Sequence, residues 1–148
     1  MDMNELEFRL EIQASKEKVW QTLWRDDSFR QWAGLIDPGT YMIGVMKKGC
    51  ELQFISSENG YGVTSLVEEM TVNEYLRLRH KADTQKSGEK SRENEWTGGS
   101  ERYSLGETEE KTTLVVILDV PQEMEAYFKA AYPKALKRVK ELAEKSSE

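Results

Sequence analysis

His80 is the only histidine of the chain and the side chain with the clearest capacity for chemistry. It follows Leu76 and Leu78 at intervals of two, and alternate residues of a strand point to the same side of a sheet. The pattern therefore predicts His80 on a leucine-lined face, where its imidazole could bind a polar group of an enclosed molecule. The alternative is a histidine at a strand end, hydrogen-bonded by a neighbouring residue or by water.

Two aromatic side chains are further candidates for the wall of a pocket. Trp96 and Tyr103 lie in a predicted strand at 95–106, but their odd separation places them on opposite faces. A bulge at Gly98-Gly99 would bring both rings to one face. The alternative for each ring is ordinary packing in the core.

Other reactive side chains are weaker candidates. Cys50 has no base recognisably placed near it in the sequence, and we interpret it as a passive thiol. The pair Glu68-Glu69 resembles a catalytic pair of carboxylates, but exposed acidic residues on a sheet are usually there for solvation. We assign no catalytic residue.

Sequence motifs for metal and cofactor sites are missing. There is no Gly-x-Ser-x-Gly, Cys-x-x-Cys or His-Glu-x-x-His motif, and one histidine cannot build a histidine-rich zinc site. Gly60-Tyr61-Gly62 lacks the third glycine of a dinucleotide-binding loop. The sequence predicts no metal and no cofactor, and it favours binding over enzymatic activity.

Composition narrows the class of partner and the compartment. A net charge of -6 and a pI near 5.0 argue against nucleic acid, because phosphate binding needs Lys and Arg. With one cysteine and an acidic start, the chain is expected in the reducing cytoplasm. Its longest apolar run, 114–118, is too short to span a bilayer, so no membrane insertion is expected. The length of 148 residues predicts a single domain, 1–148.

The first third of the chain predicts one strand followed by two short helices. Residues 5–12 alternate between apolar and charged, as in a half-buried strand. Ser15 is placed to cap a helix over 16–24. A second helix, capped by Asp26 or Asp27, is predicted to end at Gly34 through a positive φ.

Six further strands are predicted, most of them separated by short turns. They cover 40–46, 50–56, 61–70, 75–82, 95–106 and 112–120. Asn59-Gly60 is a strong hairpin signal, since both residues tolerate a positive φ. The polar segment 83–94 is predicted to be a solvated hairpin loop, with a lid over a binding site as the alternative.

The C-terminal segment predicts a long helix from Pro121 to about Lys145. Its apolar residues recur at spacings of three and four, which predicts one buried stripe: Met124, Phe128, Tyr132, Ala135, Val139 and Leu142. Pro133 lacks the backbone N–H that would continue the hydrogen bonding of this helix, and we expect a kink near Lys129. The whole pattern is α+β: a sheet with one apolar face that a single long helix covers.

The segment Ala14-Ser15-Lys16-Glu17-Lys18-Val19-Trp20, with Trp32 after it, resembles the opening of the helix-grip, Bet v 1-like (SRPBCC, START-like) superfamily. Within it the chain is most similar to the homologues of the activator of Hsp90 ATPase (AHSA1-like). Residues 48–54, 112–116 and 135–142 agree with this resemblance. The sequence departs from the family at Cys50, where a glycine is common, and at Pro133, in a helix that is usually continuous.

The resemblance implies a curved antiparallel sheet of about six or seven strands around the long helix, with a cavity between them. That cavity is expected to hold a small apolar or amphipathic molecule, with His80, Trp96 and Tyr103 in its wall. Met124, Phe128 and Tyr132 of the helix are expected to close it. Two alternatives stay open: a protein-interaction role of the Hsp90-cochaperone kind, with a chaperone or another protein as partner, and an enzyme of the cyclase or aromatase kind.

Overall fold

The computed structural model describes residues 3–58, 60–85 and 98–145, and across them seven strands and three α-helices follow one another. The strands are β1 (Met3–Ile12), β2 (Thr40–Ile43), β3 (Glu51–Ser56), β4 (Tyr61–Thr71), β5 (Tyr75–Gln85), β6 (Ser100–Thr108) and β7 (Lys111–Pro121). The helices are α1 (Lys16–Trp24), α2 (Asp26–Ala33) and α3 (Glu125–Glu144), and a 3₁₀ turn at Gln122–Met124 precedes α3. The predicted α+β class, with two short helices after the first strand, is confirmed.

The strands form one antiparallel sheet in the order β1-β7-β6-β5-β4-β3-β2. From β2 to β7 each strand pairs with its neighbour in sequence, whereas β1 pairs with β7 along its whole length. The two sheet edges, β1 and β2, are therefore connected through α1 and α2. Helix α3 packs one face against β1, α1 and α2, and its opposite face is exposed.

The two short helices begin for different reasons. Ser15 caps α1 as predicted, because its Oγ accepts a hydrogen bond from the Lys18 backbone N–H at 3.2 Å. Asp26 and Asp27 do not cap α2: both lie inside its first turn, and Arg25 precedes them without a side-chain capping bond. In that first turn their carboxylates stabilise the helix through attraction to the positive end of its dipole.

Gly34 ends α2, but not through a positive φ as predicted. Its φ of -64° is ordinary for a helix. The need for glycine is steric instead, since a Cβ at this position would lie 2.8 Å from the carbonyl oxygen of Arg30.

The predicted helical stripe is confirmed at its centre. Buried side chains of α3 are Ala131, Tyr132, Ala135, Leu136, Val139 and Ala143. Met124, Phe128 and Leu142 are half-buried. Pro121 is the last residue of β7, not the first turn of the helix, because β1 continues to pair with β7 as far as that residue. Pro133 lies inside an unbroken α3, and the kink near Lys129 stays a prediction.

Two predicted strand boundaries differ from the structure by several residues. β6 begins at Ser100 and not at 95, because Gly98, with a φ of 89°, forms a turn in front of it. β5 continues to Gln85, so 83–85 of the predicted loop belong to a strand that pairs with β4. The rest of that loop, 86–94, lies outside the described residues, as does Asn59.

Candidate functional site

A cavity of about 240 Å³ lies between the inner face of the sheet and α3. Strands β2 to β7, the two short helices and α3 all contribute to its wall. Most of the wall is apolar, and its aromatic residues are Trp24, Phe29, Trp32, Phe54, Tyr103, Phe128 and Tyr132. The polar residues that line it are Asp37, Thr40, His80, Glu101 and Asp119. The site is thus an aromatic chamber with few polar groups.

Ring contacts between different elements hold the aromatic wall in place. The ring centroids of Trp24 and Tyr103 lie 4.9 Å apart, edge to face, which joins α1 to β6. Phe29 joins α2 to β3 through Phe54, at 5.8 Å between centroids. The indole N–H of Trp32 donates to the carbonyl oxygen of Leu23 at 3.0 Å, which fixes that ring at the end of α2. Rings fixed in this way give the chamber a preformed shape.

His80 lies on the inner face of the sheet with Leu76 and Leu78, as the alternation predicts, and only 1% of it is exposed. Its Nδ1 lies 2.9 Å from Ser65 Oγ on β4, and its Nε2 lies 3.4 Å from Glu101 Oε2 on β6. A register shift between β4 and β5 falls beside the Ser65–His80 pair, and such irregularities re-aim side chains. His80 therefore fits both interpretations: it lines the cavity, and its ring lies against the side chains of Ser65 and Glu101.

The contacts of His80 continue through Glu101 to helix α3. Tyr103 donates its hydroxyl to Glu101 Oε1 at 2.8 Å, and the hydroxyls of Tyr103 and Tyr132 lie 3.4 Å apart. Ser65, His80, Glu101, Tyr103 and Tyr132 thus form a buried polar chain that runs from β4 to α3. It crosses a largely apolar interior, where each hydrogen bond matters because an unpaired polar group is costly.

The charge state of the polar chain follows from burial and its partners. Burial alone would raise the pKa of Glu101, but the hydrogen bond and charge of His80, together with the Tyr103 hydroxyl, outweigh it and lower that pKa. Burial, and then the charge of Glu101, raise the pKa of Tyr103 and of Tyr132 well above the ordinary value. At neutral pH the chain therefore holds a carboxylate and two neutral hydroxyls.

The other predicted site residues are distributed as follows. Phe128 and Tyr132 lie in the cavity wall, together with His80 and Tyr103. Met124 does not line the cavity; it precedes α3 and is half-buried. Trp96 lies outside the described residues. Cys50 is half-buried in front of β3 and is not part of the wall.

Glu101 is the polar residue of the buried chain's centre that was not predicted from the sequence. It was passed over because a charged residue on a strand usually faces solvent. A usable signal was present, since Glu101, Tyr103 and Leu105 alternate and the last two are apolar. The helical aromatic residues Trp24 and Trp32 also line the cavity and were not among the predicted site residues.

No group of three or more His, Cys, Asp or Glu side chains within the described ranges could hold a metal ion. None of the described helices is both long and apolar enough to cross a membrane.

No protein-family model matches the sequence, and no curated protein matches it either. Solved structures do resemble the fold. The Aha1 dimer from Colwellia psychrerythraea is 19% identical, with a TM-score of 0.74, over 99% of this chain and 100% of that one. Protein MLL2253 from Mesorhizobium loti is 14% identical, with a TM-score of 0.75, over 98% and 100%.

CalU16 from Micromonospora echinospora is 13% identical, with a TM-score of 0.67, over 97% of this chain and 78% of that one. At such low identities the likeness concerns the backbone and not the side chains of the site. The chain has the helix-grip fold of these proteins, as its resemblance to the Bet v 1-like superfamily implies.

Proposed function

We propose that the protein is a binding module that encloses a small apolar or amphipathic molecule between its sheet and helix α3. The observation that carries the proposal is the aromatic chamber of about 240 Å³, into which the buried polar chain brings one carboxylate. Apolar walls with a few placed polar groups are typical of small-molecule sites. The wall supplies affinity, and Glu101 orients the molecule.

The size of the chamber limits what it can hold. An engineered cavity of about 150 Å³ in another protein holds one benzene ring. A chamber of about 240 Å³ therefore suits one or two rings, or roughly 10 to 15 non-hydrogen atoms, without rearrangement. A sterol or a long acyl chain would need the chamber to expand.

The polar chain favours binding over acid–base catalysis. A general acid or base works best when its pKa lies near the working pH, but the partners of Glu101 lower its pKa below the ordinary value. Both ring nitrogens of His80 face protein groups, Ser65 and Glu101. We therefore rank an enzyme of the cyclase or aromatase kind below a binding module.

A cochaperone-like role has less support from the surface of α3. Its basic side chains are partly compensated within the helix, by the pairs Lys129–Glu125, Arg138–Glu141 and Lys140–Glu144. Such pairing reduces the attraction that an acidic partner protein would feel. We keep the cytoplasm as the proposed compartment, because the single cysteine fits reducing conditions.

A cavity-filling variant tests the proposal. Val63 lines the cavity, so Val63→Phe places an additional ring inside the chamber. Val45 lies outside the cavity and is 64% exposed, so Val45→Phe adds the same ring on the surface and is the control. We expect neutral aromatic compounds of one or two rings to raise the melting temperature of the wild type and of Val45→Phe. At ten times the dissociation constant the gain is about 1.4 kcal/mol.

The same compounds should stabilise Val63→Phe much less. The variant's own melting curve without ligand shows whether it folds. Equal stabilisation of Val63→Phe and Val45→Phe, or no stabilisation of the wild type by any compound of this size, would refute binding in this chamber.

A further inference from the structure

The charged groups in the cavity wall are predominantly acidic. Asp37 and Glu101 line it, and Asp119 borders it with its carboxylate bonded to Ser100 and close to Arg102, whereas the basic residue that lines it is His80. Among the described residues no Lys or Arg side chain lines the cavity. A carboxylate or phosphate ligand would therefore meet acidic groups without the Lys or Arg that normally binds such anions.

The Glu101 carboxylate has capacity for another hydrogen bond. Its Oε1 accepts from Tyr103 and its Oε2 faces His80 at 3.4 Å, while an ionised carboxylate can accept about four hydrogen bonds. The side chain of Glu101 is 22% exposed although its neighbour Tyr103 is buried. The group is thus held in place by the protein and still open to a donor.

The aromatic wall is suited to the same kind of ligand. Tyr103 donates a hydrogen bond to Glu101, and the hydroxyl of Tyr132 lies next to that of Tyr103. Trp24 packs edge to face against Tyr103. The faces of such rings attract an organic cation that is out of water. An ammonium group beside Glu101 would therefore have a carboxylate as its hydrogen-bond acceptor and aromatic rings around it.

The entrance adds to this preference. Asp37 lines the cavity and is exposed, which places it at the mouth. Burial, and then the negative charge of nearby Glu58, raise the pKa of Asp37. Two acidic side chains therefore lie close together at the entrance. Acidic groups at an entrance raise the local concentration of cations.

From this chamber we infer that the bound molecule is a small organic amine, with its ammonium group on Glu101 and its hydrocarbon part against the aromatic wall. The inference rests on the proposed function and narrows it to a class of ligand. His80 Nε2 lies 3.4 Å from Glu101 Oε2 and competes for that oxygen, and Arg102 Nη2 lies 3.7 Å from Asp119, so the preference is moderate. We expect an amine to bind about tenfold more tightly than a neutral analogue of the same size, which is the effect of replacing a neutral hydrogen bond by a charge-assisted one.

Three compounds with one ring and different end groups test the inference. Titration calorimetry of the full chain with 2-phenylethylamine, 2-phenylethanol and phenylacetate at pH 7 should rank them in that order. We expect the amine to bind about tenfold more tightly than the alcohol, and the acid at least tenfold more weakly than the alcohol. Glu101→Gln should reduce the preference for the amine to within about twofold and leave alcohol binding in place.

Glu110→Gln, in the exposed turn between β6 and β7, removes one acidic group away from the cavity and should keep the full preference. The wild-type ranking decides the matter even if Glu101→Gln does not fold. An alcohol that binds as tightly as the amine, or an acid that binds best, overturns the amine assignment and leaves the binding module standing. If none of the three binds, both proposals fail.

Discussion

At the residue scale, the two buried tyrosines of the polar chain have unequal roles. The hydroxyl of Tyr103 donates to a carboxylate at 2.8 Å, whereas the hydroxyl of Tyr132 is 3.4 Å from that of Tyr103. Hydrogen bonds to charged groups contribute more than neutral ones, and a buried charge that loses a donor is costly. The two rings are otherwise alike, since both are at least 95% buried in the core.

Replacing each tyrosine by phenylalanine separates these contributions. We expect Tyr103→Phe to lower the free energy of unfolding by about 2 kcal/mol and Tyr132→Phe by about 1 kcal/mol or less. Urea denaturation of the two variants beside the wild type measures the difference. A larger loss for Tyr132→Phe would contradict the assignment of Tyr103 as the main donor to Glu101.

The sequence predicts part of the site for a clear reason. The face of His80 follows from its spacing to Leu76 and Leu78, because strand periodicity fixes the direction of alternate side chains. Its partners do not follow, since the contact with Ser65 depends on an irregularity in the pairing of β4 with β5, and the contact with Glu101 on the pairing of β5 with β6. The acidic character of the cavity appears only when the strands are assembled.

At the scale of elements, β4 and β5 are joined by an ion-pair cluster outside the cavity. Glu68 lies at a register shift in β4 and accepts hydrogen bonds from Arg77 at 2.7 Å and from Arg79 at 2.8 Å. The hydrogen bonds of Arg79, followed by those of Arg77, hold the pKa of Glu68 at about 2. The resemblance of Glu68 to a catalytic carboxylate is therefore superficial.

This cluster should make stability depend on acid pH. The pKa of Glu68 is lower in the folded chain than its ordinary value of 4.5, so the carboxylate stabilises the fold above pH 4.5. That contribution is lost as the pH falls from 4.5 towards about 2. Since the side chain is 29% exposed, solvent screening reduces it to about 1 kcal/mol.

The matched variants are Glu68→Gln and Glu69→Gln. The control residue, Glu69, is more exposed and lies 3.5 Å from Lys48. Urea unfolding at pH 7 and pH 3 should show a smaller loss on acidification for Glu68→Gln than for the wild type. If Glu69→Gln shows the same reduction, Glu68 has no special part in the acid response.

The elements themselves are well predicted wherever periodicity is strong. The bounds of α1 agree with the predicted helix, because Ser15 caps it and its apolar residues recur at helical spacing. Boundaries fail where neighbouring strands decide them: Pro121 continues β7 because Met3 pairs with it. A sequence pattern indicates which secondary structure a segment prefers, but not which neighbouring strand pairs with its ends and lengthens it.

At the scale of the whole molecule, the sequence predicts the helix-grip arrangement but not how much space it encloses. One apolar sheet face and one long helical stripe require each other, and that is enough for the architecture. The volume of the chamber depends on how far Phe54, Trp24 and Phe128 extend into it. Such distances arise from packing, and a change of one ring would alter them.

The central claim is that a small molecule enters the chamber between sheet and helix. The most direct test uses the indole N–H signals of the tryptophans in a ¹⁵N–¹H spectrum of the labelled protein. Trp24 and Trp32 line the chamber, whereas Trp20 is buried in the same core but does not line it. Single Trp→Phe variants assign the signals.

During titration with 2-phenylethanol, we expect the indole signals of Trp24 and Trp32 to shift in a saturable way, with a much smaller shift for Trp20. The neutral alcohol tests the chamber itself, independently of the charge preference. Signals of Trp24 and Trp32 that stay in place at saturating ligand, or that shift no more than the signal of Trp20, would contradict binding in the chamber.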